Sequence, residues 1–209
     1  MGQYYKLIVL NKYKKNAKNC EKINSYMETW DFNQGAKLME FSWIGNNFVS
    51  LFESLINKEH GMFAGYPIIV AGDYADEEPN TYKKEKLNLY TLCCEFGQRL
   101  TKKFFNAHNI EPKHYRYVIN EDKGLFIDTE RMKVINTTEY DGITIKWQVH
   151  PLTILCCDGN GRGNGDLNSD TNPNKRQIGA WRRNVVVVSD NRPDETKYRE
   201  VFYDFREKW

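Results

Sequence analysis

No apolar run in the 209-residue chain approaches the roughly 20 residues that a membrane-spanning helix needs. The start, "MGQYYKLIVLNK", has one short β-like run where a secretory signal has a longer apolar region and a small-residue cleavage site. Lys6 stands where a myristoylation signal needs Ser or Thr. The expectation is a cytoplasmic protein. Cysteine is scarce and unpatterned: Cys20, Cys93, Cys94, Cys156 and Cys157 make an odd count with no CxxC, which argues against both a disulfide framework and a zinc site. The adjacent pairs in "YTLCCEF" and "LTILCCD" read as reduced thiols buried as small hydrophobes. Charge of one sign is also missing. A formal net charge of +2 implies no polyanionic partner by itself, so local patches must carry any such argument.

Catalytic signatures are equally thin. His60, His108, His114 and His150 are the only histidines and none lies at HExxH spacing, GxSxG is absent, and no GxGxxG or GK[ST] marks a nucleotide loop. A Cys157–His150 nucleophile pair on a strand would have its members on opposite faces.

What is present is an internal echo. "YKLIVLNK" from Tyr5 matches "YRYVINED" from Tyr115, "LMEFSWIGNN" from Leu38 aligns without a gap to "LTILCCDGNG" from Leu152, and "IIVAGD" from Ile68 pairs with "VVVVSD" from Val185. Three blocks in the same order predict two related halves, 1–80 and 113–195, joined by a helical connector, 81–112, and followed by a tail, 196–209, all in one compact unit. The fold class expected is α+β, with two β-rich pseudo-repeats and amphipathic helices on one face. Strands are predicted at Tyr4 to Leu10, Ala36 to Trp43, Ile68 to Ala71, Tyr115 to Ile119, Gly124 to Asp128, Ile143 to Val149, Leu152 to Cys156 and Asn184 to Ser189. Phe48, Leu51, Phe52, Leu55 and Ile56 recur at helical spacing behind an Asn46 or Asn47 cap. Lys86 to His108 reads as one long amphipathic helix despite Gly97, and the tail as a short helix or edge strand.

The second half replaces the helix that follows "GNN" by a polar stretch, "GNGRGNGDLNSDTNPNKRQ". Such a composition suits a plain surface loop. A calcium loop starting at Asp166 fails, because Thr171 stands where the sharp turn needs Gly and Gln177 where a bidentate carboxylate belongs. The functional reading is an anion cradle, in which Gly159, Gly161, Gly163 and Gly165 let backbone N–H groups converge, with Arg162, Arg182, Arg183 and Asp166 beside them and Lys175 and Arg176 nearby.

The blocks "MGQYYK", "LMEF", "AGDYAD", "HPLTIL", "GNGRGNGD" and "IGAW" resemble a group of bacterial, phage and large-DNA-virus proteins that open MGQYYK and carry HPL, GRGGGD and GSWA blocks. The resemblance spans most of the chain and brings no activity, cofactor or catalytic residue with it. This chain departs from that pattern at Asn164, where Gly is usual, and at "AWRRN", where a Gly-Asp pair is usual.

The leading expectation is a non-catalytic protein that binds a nucleotide, another phosphate-bearing molecule or a partner protein through Gly159 to Arg183, with no cofactor. The alternative is a phosphoesterase or nuclease holding Mg²⁺ on the strand-end carboxylates Asp73, Asp76, Asp158, Asp166 and Asp190. A third reading is a single-stranded nucleic-acid binder stacking bases on Tyr4, Tyr5, Trp147 and Trp181.

Overall fold

The run "YKLIVL" is rich in β-branched, aromatic and other apolar residues. It forms strand β1 (Tyr5–Leu10), buried along its whole length and so placed inside a sheet. The structure, a computed structural model, describes residues 3–12, 22–78, 87–138, 144–159 and 177–203. β2 (Ile23–Glu28) and β3 (Ile68–Gly72) flank β1, both antiparallel to it. Two-residue strands close the sheet: β4 (Gln98–Arg99) runs parallel to β2 and β9 (Cys157–Asp158) parallel to β3.

In the second sheet β5 (Tyr117–Asn120) is central, with β6 (Leu125–Asp128) and β10 (Val186–Ser189) antiparallel on either side and β11 (Arg199–Glu200) parallel to β6. The orders β4-β2-β1-β3 and β11-β6-β5-β10 are the same, pair for pair, in sequence and in sense. Each hairpin also runs into a 3-10 turn, Thr29–Phe32 after Glu28 and Thr129–Arg131 after Asp128. β7 (Val134–Thr138) and β8 (Thr144–Gln148) form a separate hairpin. The helices among the described residues are short: α1 (Leu38–Phe41), α2 (Asn47–Leu55), α3 (Leu89–Phe96), α4 (Lys102–Ala107) and α5 (Pro151–Leu155). None of them is long and apolar enough to cross a membrane. The architecture is mixed, with two main sheets and few helices, and is compatible with an α+β class.

Strand periodicity sorts the core. Leu7 and Val9 of β1, Ile68 and Val70 of β3, Val118 of β5 and Val186 and Val188 of β10 point to one shared core with Phe48, Phe52 and Leu55 of α2 and Leu152, Ile154 and Leu155 of α5. The alternate residues Ile8, Leu10, Ile69 and Ala71 face outward and are covered by Leu89, Leu92 and Cys93 of α3. Tyr117, Ile119, Phe126 and Val187 form the outer face of the second sheet, where Arg192 lies 5.4 Å from the centre of the Phe126 ring. The sheets meet at a corner, where Arg183 N–H donates to Ile68 O at 2.8 Å and Ile68 N–H to Asn184 O at 3.0 Å.

Three predicted elements differ. Ala36 to Trp43 and Leu152 to Cys156 are short helices rather than strands. In α1 the Glu40 carboxylate accepts the Lys37 N–H at 2.9 Å and buries Leu38 and Phe41 on one side. In α5 Pro151 occupies the first turn and His150 Nδ1 accepts the Leu152 N–H at 3.2 Å. The long helix predicted over Lys86 to His108 is broken into α3, β4 and α4, because Gly97 adopts an extended ψ of 151°. A Cβ at Gly97 would stand 2.8 Å from Ile23 Cγ2, so only glycine lets the chain pass so close to β2. Elsewhere Asn46 caps α2 as anticipated, accepting from Phe48 N–H at 3.0 Å, and the tail supplies the edge strand β11.

Candidate functional site

At the corner between the sheets, three segments surround one cleft of about 620 Å³. The chain leaving β3 contributes Asp76, Glu77 and Glu78, the end of β9 contributes Asp158, and the turn before β10 contributes Ala180, Arg182, Arg183 and Asn184. Lys22 before β2 and Lys123 in the β5–β6 turn complete the wall. The turn is pinned by two backbone bonds to the end of α5, Gly179 N–H to Ile154 O at 2.9 Å and Trp181 N–H to Leu155 O at 2.7 Å. Lys123 Nζ reaches Ala180 O at 2.9 Å.

Four basic and four acidic side chains thus share the cleft. Arg183 pairs with the buried Glu78, which also lies 3.7 Å from Lys22 Nζ. Arg183 holds this position with φ at +63°, a left-handed backbone that costs a bulky residue on the order of 1–2 kcal/mol. Arg182 is less tightly engaged: its Nη1 donates to Gly179 O at 3.2 Å and its Nε is 3.6 Å from Asp158 Oδ1. Burial pushes the Asp158 carboxyl above the usual carboxylate range. Asp76 and Glu78 add to that, and Arg182 and Arg183 work against it.

Of the residues expected to form the cradle, Arg182 and Arg183 do face one cleft together. Gly161, Arg162, Gly163, Gly165 and Asp166 lie outside the described residues. Gly159 is described and closely packed: a Cβ there would fall 2.4 Å from Gln3 Oε1 and 2.7 Å from the Tyr5 hydroxyl. Gly159→Ala is therefore expected to cost about 1–3 kcal/mol through overpacking, read as a lowered urea midpoint. Of the strand-end carboxylates only Asp76 and Asp158 line the cleft among the described residues. Asp73 accepts the Tyr4 N–H at 3.1 Å and Asp190 pairs with Lys113 at 2.7 Å, so both serve turns elsewhere. Tyr5 and Trp181, named as stacking residues, are each 1% exposed and belong to the core. Cys157 is fully buried with its thiol pushed up, chiefly by that burial, and it donates to Ile154 O at 3.1 Å, which removes it as a nucleophile.

A second cluster escaped sequence reasoning. Glu53 of α2 is fully buried between His114 and His150. His114 Nδ1 is 3.1 Å from both carboxylate oxygens, and its Nε2 is 3.2 Å from Thr129 Oγ1. The Thr129 hydroxyl donates to Arg116 O at 2.8 Å, so it faces His114 Nε2 as an acceptor. His150 Nε2 lies 3.2 Å from Glu53 Oε1 but off the line of a hydrogen bond. Burial would raise the Glu53 carboxyl. The two imidazoles overcome this and hold it below the usual range. The ligand atoms of the three side chains are within 4.8 Å of one another, close enough to share a cation. A metal on His150 would need a bare Nε2, however, whereas the Leu152 N–H bonded to Nδ1 places the proton on Nε2. The trio fits a buried proton-bearing network better than a metal centre.

Comparison of the chain with protein-family models, with curated proteins and with solved structures finds no match, so the chemistry of the cleft rests on its own geometry.

Proposed function

We propose that the protein is a non-catalytic binding protein whose corner cleft takes a phosphate-bearing small molecule. The observation that carries this reading is the convergence of Arg182, Arg183, Lys22 and Lys123 on one cleft of about 620 Å³, a volume suited to a nucleotide-sized ligand. Arg183 is held there in a strained backbone, which supports a site that is shaped rather than incidental. Binding is favoured over metal-assisted hydrolysis because, among the described residues, only Asp76 and Asp158 of the candidate carboxylates share this wall, and Asp158 already has Arg182 beside it. The matching strand orders of the two sheets support a further part of the reading, that the chain is a duplicated unit with its cleft at the junction of the copies. The thiols of Cys93, Cys94, Cys156 and Cys157 are free, in keeping with a reducing, cytoplasmic compartment.

Titration calorimetry and thermal shift with inorganic phosphate, pyrophosphate and nucleotides test this directly, since a ligand that prefers the folded state raises Tm. Arg182→Ala is expected to weaken binding by about 1.5–3 kcal/mol, the range of a hydrogen bond to a charged group, with Tm in the absence of ligand nearly unchanged. No response to any phosphate-bearing compound rejects the proposal.

A further inference from the structure

Asp158 stands apart from the other acids of the cleft. It is 7% exposed, it lies at the end of the edge strand β9, and its carboxylate accepts no hydrogen bond among the described residues. Among the described residues its nearest cation is Arg182 at 3.6 Å, beyond hydrogen-bond length. A carboxylate that is nine-tenths buried normally fills its lone pairs with N–H or O–H donors. Among the described residues those acceptors meet no donor, and Asp158 lines the cleft together with Arg182, Arg183, Asp76 and Glu78. Inorganic phosphate alone would answer the guanidinium groups and leave Asp158 both unfilled and repelled. A ligand that satisfies the whole wall must pair an anionic group with a set of hydroxyl donors a few ångströms away.

We propose that Asp158 makes the cleft selective for phosphate esters of sugars, with a neighbouring pair of sugar hydroxyls donating to its two carboxylate oxygens while the phosphate lies on Arg182 and Arg183. This rests on the phosphate-binding reading of the same cleft and adds the second half of the ligand. Ribonucleotides and simple sugar phosphates share the required chemistry. The base contributes only if a nucleotide binds more tightly than the bare sugar phosphate.

The test is titration calorimetry of the full chain and of Asp158→Asn with inorganic phosphate, ribose 5-phosphate, AMP and 2′,3′-dideoxy-AMP. Asn is close in shape and breaks no hydrogen bond among the described residues, so the variant should fold, which its melting curve checks. Wild type is expected to bind AMP or ribose 5-phosphate at least about tenfold more tightly than the dideoxy compound or phosphate, the scale of a charge-assisted hydrogen bond. Asp158→Asn should show a crossover, with weaker binding of the hydroxyl-bearing ligands and unchanged or tighter binding of inorganic phosphate, because a repelling charge has gone. Equal affinity of wild type for AMP and its dideoxy form overturns the role of Asp158 and leaves phosphate binding intact. Failure of all four compounds to bind removes both readings together.

Discussion

Glu53→Ala is expected to destabilise the fold by about 3 kcal/mol, measured as a drop in the free energy of urea unfolding. Removing a buried hydrogen-bonding group leaves each group that faces it without its partner, at about 1–3 kcal/mol apiece, and Glu53 faces both His114 and His150. The sum stays low, since His114 has a 28% exposed side chain and water can partly satisfy its ring once the carboxylate is gone. Glu53→Gln is no remedy. Its amide offers one acceptor where two imidazoles present N–H groups, and its NH₂ faces one of those donors. Both substitutions should therefore destabilise, whereas an isolated carboxylate buried for no purpose would be improved by neutralisation.

The same network sets an acid limit. A carboxyl held below its ordinary value of 4.5 binds fewer protons in the folded state than in the unfolded one, so its stabilisation is complete above 4.5 and is lost as the pH falls through the folded value. Glu59, Glu121 and Asp194 are also lowered and contribute acid sensitivity of their own. The expected result is a difference: wild type should lose more stability than Glu53→Gln as the pH falls below 4.5. Parallel losses in the two proteins would remove Glu53 as the group responsible.

Sequence alone revealed the strands whose composition and burial agree. β1, β3, β5, β6 and β10 are made of residues that favour a pleated, packed surface, and each was placed within a residue or two. β2 and β7 were missed because Asn, Ser, Glu and Thr weaken the pattern, and pairing with a neighbouring strand decides their structure. "LMEF" and "PLTIL" were misread because a single turn of helix and a short buried strand carry the same apolar content. The Pro after His150 was the available start signal. Gly97 was underweighted, since the reason for it lies in Ile23, far away in sequence. For the cleft, Arg182 and Arg183 were legible as basic residues near the Gly-rich stretch and Asp76 and Asp158 as strand-end carboxylates, but Lys22, Lys123 and Glu78 join them only through the fold. Glu53, His114 and His150 obey no motif spacing, so no local pattern could have joined them.

Trp181→Ala should be as damaging as loss of Glu53 and should also disable the cleft. The indole is the largest fully buried side chain among the described residues, 1% exposed, and packs in the core shared by both sheets with Tyr203 edge-on at 6.4 Å. Truncating a buried Trp to Ala costs about 3–5 kcal/mol, from lost apolar transfer and from the cavity left behind. The position also matters for ligand binding, because the turn that presents Arg182 and Arg183 hangs from α5 through the Trp181 N–H bond to Leu155 O. With the ring gone, the turn keeps its backbone bonds to Ile154 O and Leu155 O but loses its large core side chain, which is expected to loosen it beside the left-handed Arg183. Calorimetry and unfolding curves together separate the effects. Trp181→Ala is expected to lose stability and affinity at once, Trp181→Phe to keep most of both, and Arg182→Ala to lose affinity alone. If Trp181→Ala bound phosphate compounds like wild type, the turn would be held by other contacts and the indole would serve the core only.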